Sequence, residues 1–422
     1  MSNEETKLNI GGTRIDKIKF QDGEIISIDN EMVETLKLHN MLFVNEQSKD
    51  EQEKEEQEKE PNRYVTRDGK QNFSYMKIKG DGEINVLKAG KCACGKQYVK
   101  LETNVCDEQL GNFVGNTVKE YQEQIDRIEN QLWDNYGINA SFRNANINYI
   151  ELNRTFELNH PFEEYKRPIK LILDEMPKMK YLKEFGDTKI IDTFFVEKVE
   201  DIGTFSKCNK RGVKKDKDGA IKYSNNTASL KIVTFYNKGK QIQGVIYLDG
   251  DYMRVEIKLI GLKNVHKAFH TNNLYELTDD VINNYFAEQI ETLMVNPLKK
   301  WKAKRKTFLK RLLKEERDRD ISNWQVNVLR VLNTHESLYN KPCLLDVSEL
   351  DSIVDGLADI KRKQRVKDNF RKQAAKYEHI FCNGDDIKLQ EIIDKLLVKE
   401  SATIMAEVDH DNGECVADVK IA

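Results

Sequence analysis

Two short segments, 234–239 and 253–259, contain the residue types that chemistry on phosphorus requires. Each segment reads as a β-strand, in which successive side chains point to opposite faces. Val255, Ile257 and Leu259 would then face a core. The opposite faces would carry a phenol, a carboxylate and three cations, namely Tyr236, Lys238, Arg254, Glu256 and Lys258. This pattern predicts a polar site shared by two strands, and the alternative interpretation is a hairpin with a polar solvent face.

A tyrosine in such surroundings could act as a nucleophile. The free phenol has a pKa of about 10 and reacts poorly until a metal or another cation stabilises the phenolate. Glu256 would hold the metal, while Lys238 and Arg254 would bind phosphate or assist the phenolate. Tyr236 is therefore the candidate nucleophile. Three nearby tyrosines stay open as alternatives: Tyr223, Tyr247 and Tyr252.

A second carboxylate could complete a metal site. Glu151 shares one face of a predicted strand with Tyr149 and Asn153. If this strand neighbours the strand of Glu256, two carboxylates and an amide oxygen would form the hard oxygen site that suits Mg²⁺ or Mn²⁺. Exposed glutamates on strand faces are also common without any metal. The prediction therefore depends on whether the two strands pair.

Several segments follow one another in the order seen in a known family. They are 106–117, 118–133 and 148–156, followed by Tyr236-Asn237-Lys238 and Arg254-Val255-Glu256-Ile257. Over Ile15 to Leu262 this order resembles the replication initiators of filamentous phages and small rolling-circle plasmids, the gene II/X type. In that family a segment with Gly and Asn precedes a helix and a strand that bears an acidic residue.

The resemblance implies a fold and an activity. It implies a sheet with the catalytic groups on one face and helices on the other. Tyr236 would attack a phosphodiester at a replication origin, bond to the 5′ phosphate and free a 3′ hydroxyl, in a reversible, metal-dependent step. DNA, as single strand and duplex, would be the partner, and a host helicase and a second copy of the chain are further partners to be tested.

Two other functions stay open. One is a non-catalytic origin-binding initiator or repressor, and the other is a metal-dependent nuclease that activates water and needs no tyrosine. Many rolling-circle nucleases bind metal through a His-hydrophobe-His triplet, which none of the seven histidines forms. Acidic ligands would have to replace that triplet. His266 and His270, one helical turn apart, are a weaker metal candidate.

The charge distribution predicts contact with nucleic acid. The net charge is −3, but residues 49–60 hold seven acidic and three basic residues. Residues 206–223 contain seven Lys and Arg against two Asp, and residues 299–319 contain eleven against three acids. Such clusters favour phosphate binding, although a solvated helix face would explain the second one equally well. The candidate DNA-binding residues are Lys207, Lys210, Arg211, Lys214, Lys215, Lys304, Arg305 and Lys306.

Composition predicts a soluble, cytoplasmic protein. No apolar run reaches the length of a membrane span, and the first residues lack the features of a signal peptide. Seven cysteines fit reduced thiols, and Cys92-Ala93-Cys94 lacks the spacing of a zinc site. Without a Gly-Lys-Thr/Ser motif, ATP binding is not supported.

The order of predicted elements indicates an α+β fold with a mainly antiparallel sheet and flanking helices, of the Rep nuclease type, followed by a helical C-terminal domain. We place the catalytic domain at 1–296, with an acidic insertion at 46–62, and the basic helical domain at 297–422, which could form a helix-turn-helix or winged helix. The predicted strands are 13–20, 73–79, 84–87, 146–158, 229–238 and 252–262, and in the first of these Asp16 alternates with Ile18 and Phe20. The predicted helices are 120–133, 161–176, 277–293, 300–317, 323–332, 347–357 and 361–377.

Overall fold

The structure is a computed structural model. It describes residues 4–10, 12–29, 31–32, 63–65, 71–81, 83–91, 97–104, 114–176, 179–181, 189–190, 195–197, 203–209, 213–215, 221–223, 230–237, 246–247, 250–319, 324–339, 345, 347–357, 362–381, 384–397 and 402–408. The predicted acidic insertion at 46–62 lies outside these residues.

One large sheet dominates the fold. Its thirteen strands follow the order β10-β11-β12-β15-β17-β8-β2-β6-β5-β4-β3, with β7 paired to β2 and β9 paired to β12. A smaller sheet has the order β1-β18-β16, and β13 pairs with β14. The strands are β1 (Glu4–Ile10), β2 (Arg14–Ile28), β3 (Arg63–Val65), β4 (Gln71–Asp81), β5 (Ile84–Lys91), β6 (Gln97–Asn104), β7 (Ile138–Ser141), β8 (Ile147–Leu158), β9 (Met179–Tyr181), β10 (Lys189–Ile190), β11 (Phe195–Glu197), β12 (Gly203–Asn209), β13 (Val213–Lys215), β14 (Ile221–Tyr223), β15 (Leu230–Asn237), β16 (Ile246–Tyr247), β17 (Asp251–Ile260) and β18 (Ala402–Val408).

In chain order, the helices named below all lie between β1 and β18. Helix α1 begins at a capping box in which Thr117 and Glu120 bond each other's backbone N–H groups, and it ends at Gly137 in a left-handed conformation. The helices are α1 (Val118–Tyr136), α2 (Lys166–Glu175), α3 (Leu262–Phe269), α4 (Asp279–Ile290), α5 (Asn296–Asp318), α6 (Trp324–Tyr339), α7 (Val347–Gly356), α8 (Lys363–Ala374) and α9 (Asp385–Leu397). No described helix is both long enough and apolar enough to cross a membrane.

The central strands alternate as their sequence predicts. Val255, Ile257 and Leu259 of β17 are fully buried in an apolar core that also contains residues of β2, β8 and helices α1 to α4. All pairings between the named strands are antiparallel. The α+β fold with an antiparallel sheet and a helical C-terminal region is therefore confirmed.

A second apolar cluster lies in the C-terminal region, formed by residues of α5 to α8 such as Leu313, Leu329 and Phe370. The two cores share one helical run, since α4, the π-helical turn 291–295 and α5 follow each other without a break. The predicted domain boundary at 296/297 lies inside this run. Leu298 and Trp301 of α5 belong to the first core.

The last two described elements return to the first half of the chain. Leu389, Ile392 and Leu396 of α9 are buried in the first core. Strand β18 pairs with β1 over seven residues. The last predicted strand was 252–262, so the sequence analysis missed β18, because a short strand is specified by its distant partner as much as by its own sequence.

Candidate metal centre

Three carboxylates from neighbouring strands meet on the face of the sheet opposite to the apolar core. Asp16 lies on β2, Glu151 on β8 and Glu256 on β17. One oxygen of each carboxylate lies within 4.8 Å of the others, and together they could hold a metal ion. All three residues are buried. The pairing on which the metal-site prediction depended is present, since β8 and β17 are adjacent, with Asn153 opposite Glu256 and Lys258 opposite Glu151.

A β-bulge brings Asp16 into this group. In the pairing of β2 with β8, Ile15 is opposite Leu152 and Lys17 is opposite Glu151, so Asp16 is an extra residue between two register positions. Such an extra residue breaks the strict alternation of a strand. Asp16 is therefore separated from the apolar residues Ile18 and Phe20, with which simple alternation groups it.

Two cations lie against the three carboxylates. The Arg254 guanidinium is fully buried and donates hydrogen bonds to Asp16 Oδ1 at 3.1 Å and to Thr155 Oγ1 at 2.9 Å. The Lys258 ammonium lies 3.3 Å from Glu151 Oε2 and 3.1 Å from Glu256 Oε2. Arg254 therefore balances Asp16, while Lys258 is shared by the two glutamates.

The position of Glu151 disfavours its charged form. Burial is the largest cause, Lys258 opposes it, and the negative charges of Glu256 and Asp16 add to it, so that the pKa of Glu151 rises from 4.5 to about 7. The Tyr149 hydroxyl donates a hydrogen bond to Glu151. A cation bound to such a cluster would favour the charged form of this carboxyl group.

Lysines line the more exposed rim of the cluster. Lys17 and Lys19 contact the two oxygens of Glu102 on β6 at 2.5 Å and 2.6 Å. Burial acts against the ionisation of Glu102, but hydrogen bonds and attraction from both lysines outweigh it and lower the pKa of Glu102. With this rim included, four carboxylates are matched by four cations. A divalent cation would therefore give the site an excess of positive charge.

Asn153 is an amide whose hydrogen bonds are not satisfied. Its side chain is fully buried, and neither amide atom has a hydrogen-bond partner within the described parts of the chain. A buried amide of this kind costs free energy unless it finds a partner. Because Asn153 lies opposite Glu256 and two residues from Glu151 on the same face, its oxygen is a candidate fourth ligand.

The loop before α1 closes over this part of the sheet. Asn116 exchanges backbone hydrogen bonds with Ile15 at 2.8 Å and 2.9 Å. Gly115 has φ of +87°, and a Cβ there would lie 2.8 Å from Asn153 Nδ2. Only glycine fits this conformation and this close approach without strain. Part of the segment that carries the family resemblance therefore contacts strands of the carboxylate cluster.

These residues suit a hard divalent cation. Carboxylate and amide oxygens are the ligands that Mg²⁺ and Mn²⁺ prefer. Asp16, Glu151 and Glu256 supply three carboxylates on neighbouring strands, and Asn153 supplies an amide that has no other partner among the described residues. His266 and His270 are both exposed, His270 caps the end of α3, and neither belongs to this group.

The strand of the candidate nucleophile is adjacent to the cluster. β15 pairs with β17, with Tyr236 opposite Arg254 and Thr234 opposite Glu256. Lys238 lies outside the described residues, as do the side chains of Tyr236, Tyr223 and Tyr247. Tyr252 is buried.

The candidate DNA-binding residues fall in two regions. Lys210 and Arg211 lie outside the described residues, and Lys207, Lys214 and Lys215 are described by their backbone alone, in β12 and β13. In α5, Lys304 and Lys306 are exposed. Arg305 instead pairs with Glu349 and lies 4.3 Å from the centre of the Trp301 ring, so its side chain joins α5 to α7.

The site predictions omitted two residues of the cluster, Asp16 and Lys258. The sequence did contain a sign that Asp16 is unusual. Simple alternation places this acid on the same face as Ile18 and Phe20, where it would be buried in an apolar core without a partner. Lys258 was placed on the correct face, but its contact with both glutamates depends on the strand register.

Comparisons with known proteins name no family. No protein-family model matches the chain, and no curated protein matches it. Among solved structures, the chain is similar to the di-domain ARO/CYC BexL from the BE-7585A biosynthetic pathway, at 8% identity over 68% of this chain and 93% of that chain, with a TM-score of 0.15. A likeness with so low a TM-score carries no argument about fold or function.

Proposed function

We propose that the protein cleaves and rejoins a DNA strand in a reaction that requires Mg²⁺ or Mn²⁺ and uses Tyr236 as nucleophile. The observation that carries this proposal is the buried cluster of Asp16, Glu151 and Glu256, with Arg254 and Lys258 against it. Initiation at a rolling-circle origin is the biological role that the sequence resemblance adds.

The charge of the site supports a phosphodiester substrate. The four carboxylates are already matched by Arg254, Lys258 and the rim lysines, so a bound divalent cation leaves the site positive. A positive site lined by partly exposed lysines attracts an anion and not a neutral substrate. Lys17, Lys19 and Lys258, each at least one-fifth exposed, are the side chains that could contact phosphate oxygens.

The strand order supports a tyrosine near this anion. Tyr236 lies on β15, the strand next to the one that carries Glu256. It is two residues from Thr234, which pairs with Glu256. In the proposed step, the Tyr236 oxygen bonds to phosphorus as the bond from phosphorus to the 3′ oxygen breaks. The phenol loses its proton and the 3′ oxygen gains one, so the reverse step reseals the strand.

The protein residues would hold the reacting groups in place. Asp16, Glu151 and Glu256, with Asn153, would bind the cation, which when bound stabilises the negative charge that develops on the phosphate oxygens. Arg254 fixes the position of Asp16 through its hydrogen bonds to that carboxylate and to Thr155.

A covalent adduct tests this proposal. We expect the wild type with Mn²⁺ to form a denaturation-resistant complex with labelled single strands of random sequence. The complex should be absent in EDTA and in Tyr236→Phe, and strongly reduced in Glu256→Gln. Tyr223→Phe, which removes a hydroxyl from a strand outside the large sheet, is the matched control and should keep the adduct.

Three outcomes separate the rival functions. Cleavage without any adduct would replace the tyrosine with an activated water. Tight binding with neither cleavage nor adduct would favour a non-catalytic initiator or repressor. An adduct that survives in Tyr236→Phe would assign the nucleophile to another tyrosine.

A further inference from the structure

The exposed surface of α5 carries six lysines, which spread over about 200° of the helix circumference at 3.6 residues per turn and which we call the lysine face: Lys300, Lys302, Lys304, Lys306, Lys310 and Lys314. All six are exposed. None of them has an ion-pair partner among the residues that the structure describes. The opposite side of α5 is buried through Leu298, Leu309 and Leu312 in the two apolar cores. The lysine face is therefore the outer side of a helix that is fixed to the rest of the protein.

The spacing of these lysines differs from that of an ordinary solvated helix. Charged helix faces usually gain stability from Glu and Lys placed four residues apart. Here four pairs at that spacing are Lys with Lys: 300 with 304, 302 with 306, 306 with 310 and 310 with 314. Like charges at this spacing destabilise a helix. A bound polyanion would relieve that repulsion.

We infer that the lysine face binds the phosphate backbone of duplex DNA, and the inference rests on the proposed function for the choice of DNA over another polyanion. From Lys300 to Lys314 the face is about 21 Å long at 1.5 Å per residue. Duplex DNA carries one charge for about each 1.7 Å of its axis, so that length presents on the order of twelve phosphates.

The rest of α5 argues against two other partners. An anionic membrane is bound by helices that add exposed apolar anchors to their cations. Among the described residues, none of the large exposed apolar side chains lies on α5. Single-stranded nucleic acid is bound through exposed aromatic rings on which bases stack. Trp301 is buried against Arg305, and Phe308 is half-buried beside the second core.

Arg305 does not belong to this face. Its guanidinium is held between Glu349 and the Trp301 ring, on the side of α5 that packs against α7. The inference therefore assigns phosphate contacts to Lys304 and Lys306 and to the other lysines of the face, and it gives Arg305 a role in packing.

The experiment measures duplex binding in EDTA, where the metal-dependent reaction is absent. A protein that does not cleave DNA can therefore be distinguished from a protein whose lysine face does not bind duplex DNA. The test variant carries Lys300→Gln, Lys304→Gln, Lys310→Gln and Lys314→Gln. The control variant carries the same charge change on other exposed lysines, at Lys263, Lys267, Lys372 and Lys376. A third variant, with arginine at the four test positions, keeps the charge.

Affinity for a labelled duplex of arbitrary sequence is measured over a series of salt concentrations. Each lost phosphate contact reduces the steepness of log affinity against log salt by about 0.9. The slope of the test variant should therefore be less steep than that of the wild type by about 2 to 4. The control and arginine variants should keep the wild-type slope. Circular dichroism would verify that every variant retains its helix content.

Several results would overturn the inference. One is an unchanged slope in the test variant, and another is an equal fall in the control variant, which would mean that only net charge matters. Binding of the wild type to vesicles containing phosphatidylserine, with no binding to duplex DNA, would assign the lysine face to a membrane surface.

Discussion

Replacement of Glu151 by glutamine should stabilise the metal-free protein at alkaline pH. Burial, opposed by Lys258 and reinforced by Glu256 and Asp16, raises the pKa of Glu151 from 4.5 to about 7. Above that pH the folded protein must keep a carboxylate charged in surroundings that favour its protonated form. Glutamine has nearly the same size as glutamate and carries no charge, so Glu151→Gln removes this cost.

The magnitude follows from the linkage between proton binding and folding. A carboxyl group whose pKa is raised by folding stabilises the folded state while it is protonated. This advantage is lost as the pH rises from 4.5 to about 7. Each tenfold change in proton affinity is worth about 1.4 kcal/mol, so the cost of ionised Glu151 amounts to about 3 kcal/mol at about pH 8. At about pH 5.5, folded Glu151 is mostly protonated while unfolded Glu151 is mostly ionised, and the folded state is destabilised by about 1 kcal/mol.

Urea unfolding in EDTA at these two pH values measures the difference. The free energy of unfolding of Glu151→Gln should exceed that of the wild type by more at pH 8 than at pH 5.5. Glu102→Gln is the control of opposite sign, because Lys17 and Lys19 lower the pKa of Glu102 and its charge stabilises the folded state. Mn²⁺ should raise the stability of the wild type more than that of Glu151→Gln.

Two results would refute this reasoning. One is a variant that matches the wild type at both pH values, which would mean that Glu151 is not held in an unfavourable place. The other is an advantage of Glu151→Gln that grows as the pH falls, since the linkage requires the reverse.

Two further predictions concern single contacts. Lys258→Gln should tighten Mn²⁺ binding about tenfold, or about 1.4 kcal/mol, in calorimetric titration, because the Lys258 ammonium competes with a cation for Glu151 and Glu256. Weaker binding would mean that Lys258 instead positions the two carboxylates. Tyr121→Phe should lower the free energy of unfolding by about 2 kcal/mol, because the hydroxyl donates to Thr103 O at 2.8 Å and accepts from Ile18 N at 3.0 Å. An unchanged urea midpoint would contradict it.

The sequence predicted those parts of the site that follow from strand alternation. Glu256 and Arg254 share a face because they are two residues apart, and Glu151 and Asn153 do so for the same reason. Alternation could not predict the position of Asp16, since a single bulge in β2 changes the face to which later residues point. Likewise, the pKa of Glu151 depends on burial and on charges contributed by two other strands.

The fold was predictable to a similar degree. Helix α1 has its own start and stop signals, Thr117 with Glu120 and then Gly137, and the predicted helix 120–133 lies within the observed Val118–Tyr136. The continuity of α4 with α5 was harder to predict. Pro297 suggests the start of a new helix, but it lies in the first turn of α5, directly after the π-helical turn 291–295 that joins α5 to α4.

The pairing of β1 with β18 has a consequence for synthesis of the chain in the cell. The partner of β1 at Ala402–Val408 is made about 400 residues after β1 itself, since Glu4 pairs with Val408 and Ile10 with Ala402. At about 5–20 residues per second, β1 therefore remains without this partner for tens of seconds. An open edge of this kind can pair with another chain. A premature stop before residue 402 would make that exposure permanent, so the shortened product should aggregate even if the large sheet has folded.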